Sequence, residues 1–178
     1  MRRPACARAV AALAAALLAP RALAAQQPAP RRYVLDPATS RVWFEARATL
    51  GPFRGTAQAV RGAAEVADTV TFRDARGRVE LDVASFRTGI GLRDAHLRDE
   101  LEADRYPTIA FVLEDVVPRP TPADTGPGGR ALLLRGTLAV RAARYPVEIP
   151  AVVEARGDTL RVRGRLETRF TALGLRPP

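Results

Sequence analysis

The 178-residue chain has one cysteine, one histidine, and no lysine or asparagine at all. Cys6 lies among the first positively charged residues, and cleavage after Ala24 would leave a chain without thiols. Disulfides, cysteine-based metal sites and thiol nucleophiles are then excluded. With His96 as the single imidazole, a histidine-rich metal site is also excluded. No Ser–His pairing and no phosphate-cradling glycine motif has support. Aromatic residues make up only 6% of the chain. The longest apolar run, Val10 to Ala19, is about ten residues, half of the ~20 needed to span a bilayer.

What is present begins with arginine. All 28 basic residues are Arg, and the formal net charge is +9. Arg2, Arg3, Arg8 and Arg21 belong to the leader, and the others are scattered among acids, as in Arg73-Asp74-Ala75-Arg76 and Arg98-Asp99-Glu100. A nucleic-acid binder would show a concentrated patch interleaved with aromatics, so nucleic acid is not an expected partner. The lysine-free, alanine-rich composition reads instead as a coding bias.

Residues 1–24 have the three parts of a secretory signal peptide: Arg2, Arg3 and Arg8, then Val10 to Ala19, then the small-x-small pattern Ala22-Leu23-Ala24. The mature chain is expected to start at Ala25 and to be periplasmic or secreted. Residues 25–32 read as a tether, and residues 33–178 as one globular domain. At 47% hydrophobic content it is large enough to enclose a core.

Within that domain, period-two alternation recurs. Val42, Phe44, Ala46 and Ala48 alternate with Trp43, Glu45, Arg47 and Thr49. Similar runs cover Phe53 to Val66, Arg78 to Val83, Thr108 to Val117, Leu132 to Val140, Val147 to Ala155 and Leu160 to Glu167. Pro118 to Gly129 is a proline- and glycine-rich loop. One helix interrupts the series, expected over Leu92 to Asp104, with Leu97 and Leu101 as its apolar stripe. Roughly eight strands with short connections predict an antiparallel barrel or sandwich. Small inward residues, including Gly136 and Gly164, leave room for a ligand.

Phe86-Arg87-Thr88-Gly89, Arg93-Asp94-Ala95-His96-Leu97-Arg98 and Tyr106-Pro107-Thr108-Ile109-Ala110-Phe111 occur in that order. Tyr33-Val34-Leu35-Asp36-Pro37 and Gly51-Pro52-Phe53-Arg54-Gly55 precede them. Together these motifs resemble the YceI-like family, from Tyr33 to the end of the chain. The resemblance implies an all-β, lipocalin-like antiparallel barrel with an apolar tunnel for a polyisoprenoid or isoprenoid quinone. It implies a carrier or reservoir, not an enzyme, with no catalytic residue, cofactor or metal. Transient contact with a membrane is an expected partner interaction. The family continues past the motif matched by Gly174-Leu175-Arg176-Pro177 into another strand, whereas this chain stops at Pro178. The closing strand is therefore expected to be missing, exposing an edge that favours a homodimer.

Val42, Phe44, Phe53, Phe86, Phe111 and Leu138 are the expected tunnel lining, with plain core packing as the alternative role for each. Arg93 has two readings: a clasp with Asp94 that ties the helix to the barrel, or a contact to the polar head of a lipid. His96, off the leucine stripe, is read as a surface residue. The alternative function is an extracytoplasmic interaction module with a filled core and no ligand.

Overall fold

The structure, a computed structural model, describes residues 29–48, 51–120, 125 and 128–176. The expected leader lies outside the described residues, as does part of the loop after Pro118. Strand β1 (Arg31–Val34) begins inside the segment read as a tether and runs on into β2 (Val42–Ala48) through a turn. In that turn Asp36 accepts hydrogen bonds from the Ala38 N–H and the Thr39 hydroxyl, both at 2.9 Å. Strands β3 (Gly51–Ala57) and β4 (Val60–Val66) form a second interrupted strand, and β5 (Arg76–Asp82) and β6 (Phe86–Arg87) a third. Between β5 and β6 the chain makes a short 3-10 turn, which Asp82 caps by accepting from the Ala84 N–H.

After the helix α1 (Gly91–Glu100) come β7 (Thr108–Pro118), β8 (Gly129–Val140), β9 (Ala143–Arg156) and β10 (Thr159–Gly164). One sheet has the order β1-β4-β5-β7-β8-β9-β10 and the other β2-β3-β6, with every pair antiparallel. The three interrupted strands pass from one sheet to the other, which bends the meander into a nearly closed barrel. Of the barrel or sandwich that the alternation predicts, the structure shows the barrel, all-β with one short helix, the lipocalin-like form that the family resemblance implies.

Among the boundaries that differ from the sequence reading, two have a local reason. The helix ends at Glu100, four residues early. Glu102 takes a left-handed conformation, φ 49°, while the Ala103 N–H bonds the Arg98 carbonyl and the Glu102 N–H the Asp99 carbonyl. This is a Schellman stop made without glycine. Strand β10 ends at Gly164, although alternation continues to Glu167. The next rung pairs Arg165 with Pro150, and only the Arg165 N–H to Pro150 carbonyl bond forms, at 3.2 Å. Proline has no N–H to return, so the ladder stops there. No backbone ladder joins β10 to β2 among the described residues. Outward charges on both edges, such as Glu45 and Arg47 or Arg161 and Arg163, are the common protection against edge-to-edge pairing.

The interior divides into two apolar clusters. One, around Phe72, Val66, Val116, Leu132 and Val153, plugs one end of the barrel. The other, around Val83, Phe86, Val140, Leu101 and Leu175, lies under the helix. Leu97 and Leu101 are buried, as the stripe predicts. Leu97 also borders open space, so Leu97→Ala should cost about 2–3 kcal/mol, the low end for a buried leucine. Exposed His96→Ala should stay within about 0.5 kcal/mol. Denaturant melts of the two variants check the contrast, and equal effects would contradict the helix packing described.

Candidate functional site

Above the Phe86 cluster, the barrel and helix enclose a cavity of about 1200 Å³. Its aromatic wall runs in steps. Phe53 meets Phe44 edge to face with centroids 6.2 Å apart, and Phe44 leans on Phe86 at 5.6 Å. The outermost ring, Phe53, is capped by Arg93, whose guanidinium carbon is 4.5 Å from the ring centroid. A cation over an aromatic face is an attractive contact that leaves the guanidinium N–H donors free for an anion. The site thus grades from a charged mouth to a buried apolar interior.

Five of the six expected lining residues, Val42, Phe44, Phe53, Phe86 and Leu138, border this cavity, as does Arg93. Phe111 does not. It is register partner to Leu138, but its ring lies over Gly136 on the neighbouring strand and borders no part of the cavity. Gly136 likewise makes no room for a ligand. It sits beside the β7 irregularity between Leu113 and Asp115, where a methyl group would overlap the Val112 carbonyl oxygen. Gly55, across the strand pair from Phe44, plays the corresponding part for the Phe44 ring.

The Arg93–Asp94 pair separates into two roles. Asp94 is buried and accepts from both the N–H of Thr88, at 2.7 Å, and its hydroxyl, at 2.6 Å. It fastens the first helical turn to the strand that precedes it. The Thr88 hydroxyl is the larger cause, ahead of the Thr88 N–H and the charges of Arg87 and Arg98, that holds the Asp94 carboxyl below the usual aspartate range. A folded-state pKa below the unfolded value stabilises the fold above the unfolded value of ~4 and loses that effect as pH falls through the folded one. Thr88→Val should therefore lower the melting temperature at neutral pH. The gap from the parent should close as the pH drops below about 4. A gap independent of pH would contradict this assignment.

One wall has no signature in the sequence. After β10, residues 165–175 leave the sheet and cover the cavity, with Leu166, Phe170, Leu173 and Leu175 bordering it. Arg141, in the β8–β9 turn, holds this segment by donating to the Gly174 carbonyl at 2.7 Å. It also donates to the Glu100 carbonyl at the end of α1, at 3.2 Å, and Glu100 accepts from the Arg176 N–H at 2.8 Å. His96 borders the cavity from the exposed side of the helix. Among the described residues there is no group of His, Cys, Asp and Glu that could hold a metal, and no helix is long and apolar enough to cross a membrane.

Residues 33–176 match the sequence profile of the YceI-like domain. The chain belongs to the YceI-like family. Two solved structures share the fold at low sequence identity. BcnA of Burkholderia cenocepacia is 22% identical with a TM-score of 0.66, over 79% of this chain and 84% of that one. A polyisoprenoid-binding domain from Saccharophagus degradans is 16% identical with a TM-score of 0.57, over 81% of this chain and 80% of that one. No curated protein matches the chain. For this YceI-like domain, then, the expected fold and most of the expected lining coincide with a cavity, and Phe111 falls outside it.

Proposed function

We propose that this YceI-like protein is an extracytoplasmic lipid carrier or reservoir that holds a polyisoprenoid or isoprenoid quinone without chemical turnover. The observation that carries the reading is the 1200 Å³ cavity lined by Phe44, Phe53, Phe86 and Leu138. Its volume is slightly above the ~300–1000 Å³ usual for small-molecule sites, which suits a long ligand. The polyisoprenoid-binding domain of similar fold supports the ligand class. The alternative, an interaction module with a filled core, is disfavoured by that same open volume. In this reading Arg93 meets the head group, because its guanidinium stands at the mouth with no carboxylate partner among the described residues.

An isoprenoid chain offers no hydrogen-bonding groups, so affinity must come from apolar area removed from water, about 0.8 kcal/mol per buried CH₂. Titrating lipid-free protein with prenyl lipids of increasing length should give affinities that rise about tenfold or more per isoprene unit until the cavity is full. Added salt should weaken binding only when the head group is charged. Affinity independent of chain length, or failure to bind any prenyl lipid, would refute the proposal.

A further inference from the structure

Six large apolar side chains are exposed among the described residues: Val34, Trp43, Val70, Ile90, Leu92 and Val162. Three of them, Trp43 at 61%, Ile90 at 50% and Leu92 at 70% exposure, border the large cavity. Lining residues that are themselves exposed mark where the cavity meets solvent. Strand register brings Trp43 towards the segment that carries the other two. Trp43, Thr56 and Arg87 form one cross-strand row, placing Trp43 about 10 Å, two strand spacings, from Arg87. Ile90 follows three residues later, in the turn that Asp94 fastens through Thr88.

The charge on this rim is one-sided. The carboxylates bordering the cavity are already paired: Glu45 with Arg54, Glu100 with Arg141 and Glu167 with Arg165. The arginines nearest the apolar rim are not paired in this way. Arg41 donates to the carbonyls of Pro37 and Ser40, Arg87 to those of Ala84 and Phe86, and Arg93 lies on the Phe53 ring. An exposed tryptophan and two aliphatic side chains flanked by guanidinium groups in no salt bridge suit the interface of an anionic bilayer. There indole sits at head-group level and cations meet phosphate.

We infer that the Trp43–Ile90–Leu92 rim docks on an anionic lipid bilayer, so that the cavity mouth opens onto the membrane. The inference rests on the lipid-carrier reading for its purpose, since a long apolar chain must pass between bilayer and protein without crossing water. Docking itself needs no ligand.

Trp43 is the only tryptophan, so its fluorescence reports on this rim alone. Lipid-free protein is mixed with vesicles of phosphatidylcholine, with or without phosphatidylglycerol, none containing isoprenoid. The expected result is a blue shift and co-sedimentation with the anionic vesicles, with quenching by brominated acyl chains. The double variant Ile90→Ser/Leu92→Ser, shown to be folded by circular dichroism, should need about tenfold more lipid or greater for the same binding. Absence of the blue shift, the co-sedimentation and the quenching, or a double variant that binds like the parent, would overturn the inference. So would a blue shift that follows protein concentration without vesicles, since a second copy would then be the occupant. Uptake of prenyl lipid from detergent micelles is measured in parallel. Protein that takes up lipid but ignores vesicles overturns docking alone. Protein that docks on vesicles yet takes up nothing supports docking and leaves the carrier reading refuted.

Discussion

Gly136→Ala is expected to destabilise the domain by about 3 kcal/mol or more, at or above the upper end for overpacking a core. A methyl group there would run into the Val112 carbonyl oxygen and press on the Phe111 ring. The obstructing atom is backbone, at the point where β7 shifts register between Leu113 and Asp115. It cannot swing aside as a side chain would, and moving it would break the β7–β8 ladder beside the irregularity. Gly91→Ala is the control. No heavy atom lies within 4 Å of the added group and the residue opens α1, so it should be neutral or stabilising by up to about 1 kcal/mol. Urea unfolding midpoints separate the two, and equal midpoints would contradict the close approach.

Ala46→Leu is expected to reduce prenyl-lipid binding by about tenfold or more while leaving the fold in place. Ala46 is buried on the inward face of β2, is register partner to Phe53 and borders the cavity. Its added carbons therefore enter the volume proposed for the ligand. Because that volume is open, the substitution should avoid most of the ~1–3 kcal/mol that overpacking brings in a filled core. Unchanged binding together with unchanged stability would mean that the ligand lies elsewhere. A large loss of stability would mean that the space beside Ala46 is already filled.

Local patterns were the legible part of this protein. Alternation along β2 identified Val42 and Phe44 as inward, and helical spacing identified Leu97 and Leu101 as the buried stripe. What escaped depends on contacts between residues distant in sequence. Phe111 and Phe86 both occupy plausible inward positions, but only Gly136, two residues from Phe111's own partner on the neighbouring strand, decides that the Phe111 ring is engaged away from the cavity. The end of β10 is set by Pro150 on the neighbouring strand, which alternation within β10 cannot reveal. The cavity wall at residues 165–175 depends on Arg141, 33 residues before the Gly174 carbonyl it holds. Asp94 could be placed at the start of a helix, but its partner Thr88, six residues earlier, lies outside the helical spacings that would have suggested it.

We propose that the cavity beneath α1 holds one long apolar lipid. The most direct test is native mass spectrometry of protein purified from a host that makes isoprenoids, followed by solvent extraction and identification of what is released. One prenyl lipid per chain is expected in the parent protein, and a largely empty protein for Ala46→Leu. Parent protein recovered repeatedly without lipid, and refusing quinones and polyprenyl phosphates when they are added, would contradict the proposal.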